Sequence, residues 1–370
     1  MKKDIPITAY IKDELMKGLE IFCKKNENYK INVDLNKISI DKTKNAKFGD
    51  FTTNFIMSLN VGKLNKQELA KQIAVYIPTK IFDKVEVAGP GFINFFLNDE
   101  AKTDLLKNIV KSKESYGKFN QKELWYNIEF VSANPTGDLH VGHARGAAIG
   151  DSLCRILSFA GYDVDREYYI NDAGNQINNL ALSLIARYKQ ALGIDAEIPE
   201  DGYHGQDIID IANEIKNEIG DKGLTMEDQI SYFKKIGIEK EMNKIKQVLH
   251  DFNVRFDIFS SELVVRSNNA VEKELEYLKD HIIKEDGALV LKTTDFLDDK
   301  DRVIVKSNGD YTYFLPDIVY HVNKMSRGYD RLIDLFGADH HGYINRMKSA
   351  LMMHGYKEDV LDIELIQMVR

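Results

Sequence analysis

A strand that breaks at a proline and a glycine and passes straight into a helix limits this chain's fold more than any other feature. Residues 124–133, LWYNIEFVSA, are rich in β-branched, aromatic and leucine side chains and read as a buried strand. Pro135 and Gly137 end it, and from Val141 an apolar period through Ile149, Leu153, Ile156 and Leu157 predicts a helix. His140 and His143 therefore stand at a strand-to-helix turn. A helix start offers unpaired backbone N–H groups and roughly half a positive charge, a setting suited to a triphosphate. Gly142, between the histidines, leaves room for a flat adenine against the backbone. Taken alone, the four residues fit a capping histidine beside a packing glycine equally well.

From about residue 121 strands and helices alternate, the pattern of a parallel, doubly wound α/β sheet. VDREYYI (164–170) predicts a strand, followed by a helix over 172–192. A charged, mainly helical stretch at about 195–285 then reads as an insertion. GALVLKT (287–293) and RVIVKS (302–307) resume the fold, followed by a helix from Pro316, a strand over 331–337, a helix over 341–354 and a strand near 361–369. Residues 1–115 read as a smaller α+β domain, with a helix over 7–22 and alternation over 31–40. Helical stretches at 50–60 and 66–76 follow, then two strands joined at Gly89-Pro90-Gly91. Ligands of doubly wound folds bind beyond the carboxyl ends of the strands. His140, Asn171, Asp317 and Asp339 all lie just past candidate strands or at helix starts.

The net charge of −8 is unevenly spread. Residues 1–120 carry 21 lysines, no arginine and 15 carboxylates, a net +6, and the remainder carries −14. A basic first domain suits the phosphates of RNA, although a lysine-rich solvated surface has the same composition. Cys23 and Cys154 have no partner spacing, which points to a reducing compartment, the cytoplasm. The start MKKDIPITAY lacks a signal-peptide core, and no run of about 18 uncharged apolar residues predicts a membrane span.

Ser132-Ala133-Asn134-Pro135-Thr136-Gly137 followed by His140-Val141-Gly142-His143 resembles the class I aminoacyl-tRNA synthetases, specifically the arginyl enzymes. The resemblance extends through Arg145, Gly150-Asp151 and REYYINDAGNQI (166–177). GDFTTN (49–54), VAGPGFINFFL (87–97), YTYFLPDIVYH (311–321) and GADHHGY (337–343) carry it over nearly the whole chain. It implies an ATP-dependent ligase for L-arginine and tRNA(Arg), a monomer, with Mg2+ accompanying ATP and no tightly bound metal. The first domain would approach the corner of tRNA. His140 and His143 would donate to phosphate oxygens, with Gly142, Gly337, Asp339 and His340 also at the ATP site. A helix cap with a solvent-facing histidine pair is the alternative for GADHHGY. Ser132 and Asn134 would meet the substrate, as would Tyr168 and Asn171, although the resembled enzymes place an asparagine where Tyr168 falls. A guanidinium calls for a carboxylate, and Asp317, after Pro316 in a first helical turn, is the candidate, with Tyr313 stacking on or hydrogen-bonding the substrate. Complementing the helix dipole, worth about 0.3–1 kcal/mol, is the other role open to Asp317.

The resembled family carries a second signature, Lys-Met-Ser-Lys-Ser-like, after the second half of the fold. Lys324-Met325-Ser326-Arg327 comes too early and reads as coincidence. The chain reads as truncated before that signature and before a helical anticodon-binding domain. Two other readings stay open. A small-molecule nucleotidyltransferase could share the histidine motif, but the lysine-rich first domain argues against it. A non-catalytic RNA-binding paralogue is opposed by the intact histidines.

Overall fold

The computed structural model describes residues 6–26, 38–59, 64–118, 121–337 and 342–367. The chain divides into two units, 1–120 and 121–370. In the first, α1 (Ile7–Lys25) buries Ile11, Leu15, Leu19 and Phe22 at helical spacing. It is followed by β1 (Asp41–Lys42), β2 (Phe51–Thr53), α2 (Phe55–Ser58), α3 (Lys66–Ala74), β3 (Phe82–Ala88), β4 (Phe92–Leu97) and α4 (Asp99–Ser112). Asn65 and Asn98 start α3 and α4 by accepting backbone N–H groups on their side-chain oxygens. The strands form an antiparallel sheet in the order β1-β2-β4-β3. The helix expected over 50–60 is instead β2 and the single turn α2. Thr52 and Thr53 are β-branched, and Thr52 donates to its cross-strand partner Asn94 at 2.7 Å. Of the alternation expected over 31–40, residues 31–37 lie outside the described residues.

The second unit runs β5 (Trp125–Glu129), α5 (Val141–Phe159), β6 (Asp163–Ile170), α6 (Asn175–Ala191), α7 (Gln206–Ile219), α8 (Gln229–Asp251) and β7 (Ile258–Ser261). Then come α9 (Glu262–Val265), α10 (Ala270–Tyr277), β8 (Ile282–Glu285), β9 (Ala288–Leu291), β10 (Arg302–Val305), α11 (Phe314–Ser326), β11 (Arg331–Gly337), α12 (Ile344–Met353) and β12 (Leu361–Ile366). Five parallel strands form one sheet, ordered β12-β11-β5-β6-β7. The chain winds outward from β5 in both directions, so the topological switch falls between β5 and β11.

Two expectations change here. The stretch at 195–285 is mainly helical, yet its β7 is the edge strand of the main sheet. Conversely, β9 and β10 do not rejoin that sheet; they pair with β8 in a separate antiparallel sheet. Short apolar runs cannot reveal which sheet they join, because pairing partners are set by tertiary packing. The helix expected from Pro316 begins earlier, at Phe314. Among the described residues, no helix is long and apolar enough to cross a membrane.

The pleat sorts the central strands into two faces. Ile128, Phe130, Tyr168 and Leu335 join residues of α5 and α8 in one apolar core. Glu129, Glu167 and Asp334 are one step out of phase and take the opposite face. Register sets Asp334 beside Glu129 and Glu129 beside Glu167, so three carboxylates form a row across adjacent strands.

Candidate active site

His140 is the N-cap of α5, with extended backbone, and its Nδ1 accepts the Gly142 N–H at 3.1 Å. His143 Nδ1 accepts the His140 N–H at 3.2 Å, closing a capping box built from two imidazoles. The rings stack with centroids 3.9 Å apart. With Nδ1 used as an acceptor, each neutral ring carries its proton on Nε2 and offers that N–H to a ligand. Burial, and then the neighbouring His140, hold His143 below the usual imidazole range, so near neutral pH it donates a hydrogen bond without a positive charge. Gly142 is explained by the cap: a Cβ there would lie 2.9 Å from His140 Cε1. The space expected for adenine over Gly142 is thus taken by the His140 ring. Both histidines line a hollow of about 390 Å3 between the start of α5 and the end of α8.

A second cavity, of about 430 Å3, opens at the carboxyl ends of β5 and β11, where the topology places the switch point. Its walls include Glu129, Ser132, Asn134, Tyr169, Asp317 and Tyr343. The loop leaving β5 is strained, with φ of 69° at Val131 and 40° at Ser132. Ser132 N–H donates to the Phe130 carbonyl at 3.0 Å, so Val131 sits at the centre of a γ-turn that β-branched residues rarely adopt. Hydrogen bonds from Ser132 Oγ to Glu129 and from Tyr169 N–H to Ser132 Oγ, both 3.0 Å, fix this loop between two strands. Asn134 donates to Gln176 at 2.7 Å.

Asp317 is half-buried in this cavity and accepts a hydrogen bond from the Tyr343 hydroxyl. Burial pushes its carboxyl up to about 6, against the opposing pull of His321 and Tyr343. Behind it, one face of α11 lies over the carboxylate row. Lys324, fully buried, donates to Glu129 at 2.5 Å and to Asp334 at 2.8 Å. Arg327 donates to both Glu167 oxygens, at 3.0 and 2.8 Å, and the Tyr320 hydroxyl lies 2.8 Å from Glu129. His321 sets Nδ1 2.7 Å from the Asp317 carbonyl and Nε2 2.8 Å from Asp334. Both partners are acceptors, a pairing that only an imidazolium satisfies in full. Burial would raise Asp334, but Lys324 and His321 outweigh it and hold the carboxyl at about 2. Glu129 stays raised, because burial and the charge of Asp334 exceed what Lys324 supplies.

Residues 105–369 match the family model "tRNA synthetases class I (R), catalytic domain", and residues 7–97 match "Arginyl tRNA synthetase N terminal domain". The chain belongs to the class I arginyl-tRNA synthetase family. Among curated synthetases, it is 47% identical to the arginine–tRNA ligase of Bacillus subtilis, over 90% of this chain and 61% of that protein. It is 48% identical to arginine–tRNA ligase 1 of Halalkalibacterium halodurans over the same shares. The chain thus spans 61% of the length of these relatives. The Thermus thermophilus arginyl-tRNA synthetase shares the fold, with a TM-score of 0.75 at 19% identity, covering 98% of this chain and 66% of that one.

Within this synthetase fold, Ser132, Asn134, Gly337 and Asp317 meet at one cavity, whereas His140 and His143 line the other hollow. Asp339 and His340 lie outside the described residues. Tyr168 is corrected: it is fully buried on the opposite face of the sheet, its hydroxyl donating to the Ala133 carbonyl at 2.7 Å. The pleat gives its neighbour Tyr169 the place at the cavity. Tyr313 precedes the first residue of α11, is 94% exposed and is not among the residues that line the cavity. Asn171 does not line the cavity, and Asp172 accepts from Ser261 Oγ and the Leu263 N–H, tying the loop to α9. Sequence reading missed Glu129, Glu167, Asp334 and Lys324. Their signal was single charges inside apolar runs, NIEF, REYYI, LIDLF and VNKM. The match of Lys324 to a lysine signature is a coincidence of letters, since its ammonium is sealed between carboxylates.

Proposed function

We propose that this chain is the amino-acid-activating part of an arginine–tRNA ligase. The observation that carries the reading is a cavity whose Asp317 carboxyl, with no positive charge among the described residues bonded to it, is pushed up to about 6 by burial. A guanidinium supplies that charge with in-plane donors matched to carboxylate oxygens.

In activation the arginine carboxylate attacks the α-phosphorus of ATP, forming arginyl-adenylate as the bond to pyrophosphate breaks. Chemistry of this kind is limited by positioning and by charge on the phosphate oxygens. The Nε2–H groups of His140 and His143 supply donors to those oxygens, and Gly337, Asp339 and His340 complete the nucleotide side. Mg2+ arrives on the phosphates of ATP. A ribose hydroxyl of tRNA(Arg) then attacks the activated carbonyl and releases AMP. The net +6 of residues 1–120 suits tRNA phosphates, and the protein acts as a cytoplasmic monomer.

Calorimetry with Asp317→Asn tests the reading. The substitution keeps the shape and replaces one acceptor by a donor. Loss of one partner of a charged hydrogen-bonded pair costs about 2–5 kcal/mol, so arginine should bind roughly 30-fold more weakly or worse. ATP binding should hold, and citrulline, which lacks the charge, should bind the native chain weakly and change little. Equal arginine binding by both proteins would overturn the assignment.

A further inference from the structure

Arg346 lies in the first turn of α12, three residues after Tyr343. Its guanidinium lies over two aromatic rings, 4.7 Å from the Tyr343 centroid and 5.3 Å from that of Phe314. Its Nε is buried without an acceptor, and among the described residues no carboxylate pairs with the group. A buried guanidinium nitrogen is ordinarily paired, since losing water's hydrogen bond without replacement is costly. Ring stacking occupies the faces of the planar cation and leaves its in-plane N–H donors for an oxyanion.

Its surroundings tie it to the cavity. Tyr343 lines the cavity and donates to Asp317, Phe314 stands three residues before Asp317, and the Arg346 charge acts on the Asp317 carboxyl. Asp317 thus stands in the cavity with no cation among the described residues bonded to it, and an arginine that lacks an anion stacks on Tyr343, a residue of the cavity wall. An amino acid whose guanidinium is held by Asp317 can present its carboxylate to such a group.

We propose that Arg346 binds an oxyanion of the reacting pair, the substrate's carboxylate or the ATP phosphate that it attacks. The proposal rests on the reading of the cavity as an arginine site. It orients the substrate as well, because a guanidinium entering the wrong way round would meet a like charge.

Calorimetry on the native chain, Arg346→Met and Arg346→Lys, with L-arginine, agmatine and ATP, decides it. Agmatine keeps the guanidinium and lacks the carboxylate. If the oxyanion is the carboxylate, Arg346→Met weakens arginine by about tenfold or more and leaves agmatine within about twofold. If it is the phosphate, ATP weakens by that amount and arginine does not. Arg346→Lys keeps the charge without the fork and should fall between, and it decides the matter if Arg346→Met does not fold. Unchanged arginine and ATP binding in both variants overturns the proposal. So does an equal loss of arginine and agmatine, which would mean that Arg346 only props the Tyr343 wall. Failure of the native chain to bind either guanidinium ligand overturns the cavity reading itself, and this proposal with it.

Discussion

Asp317 gives the molecule two pH dependences of opposite sign. Its folded-state carboxyl is raised from the usual 3.8 to about 6, chiefly by burial. The ligand-free fold therefore has the stability from this group in full below the usual value and loses it as pH rises through about 6. Arginine binding needs the ionised form, so affinity should fall as pH drops through about 6, and titrations on either side of that value measure it. A flat arginine affinity across that range, with Asp317→Asn equally flat, would remove Asp317 from the contact. At the histidines, the cap predicts a second outcome. His140→Ala or His143→Ala removes one Nε2 donor and one ring of the capping box. In the complete enzyme, ATP–pyrophosphate exchange should slow by roughly 10²–10³ with arginine affinity little changed, and unaltered exchange would refute the role.

Among the elements, α5 depends on a glycine far from its cap. Gly150 faces Phe130, which is fully buried at the end of β5, and an added Cβ would lie 2.3 Å from the Phe130 ring. Neither side has room, since Phe130 packs on Phe256 in the core behind. Gly150→Ala should cost about 1–3 kcal/mol in urea unfolding by pushing the helix off the strand. Because the cap histidines ride on that helix, nucleotide binding should weaken as well; native stability in this variant would show that α5 is free to shift. Helix α11 makes the corresponding case for charge. Its apolar residues pack against α10 and α12, while Asp317, His321, Lys324 and Arg327 recur on one face over the carboxylate row. Lys324→Met would leave Glu129 and Asp334 side by side without their shared cation, a loss of about 3–5 kcal/mol. Thermal unfolding at neutral pH should show that drop, and an unchanged midpoint would mean that the row is protonated.

Among the described residues of the whole molecule, each unit has its own apolar packing, one core around α1, α3 and β4 and three within residues 121–370. Deleting residues 1–120 should leave a folded remainder with weaker and less salt-dependent tRNA binding, because lysines that neutralise phosphates are gone. Equal affinities and salt slopes for whole and trimmed chains would make those lysines a solvated surface. What the sequence by itself determined is local. Hydrophobic period, proline and glycine breaks and the His140–His143 spacing are chain-neighbour properties, so β5, the turn and α5 were legible, as was Asp317 at a helix start. Only the tertiary structure decided which strands share a sheet, since β7 and β9 are equally short, four residues each, and pair on different sheets. It alone set the row of Glu129, Glu167 and Asp334, residues far apart in the chain that parallel register brings level. It also exchanged Tyr168 for Tyr169, and left Tyr313 in solvent, because one step of pleat or one residue of helix start changes the face a side chain takes. Local chemistry named the kinds of group this site needs, and long-range pairing chose which copies of them meet.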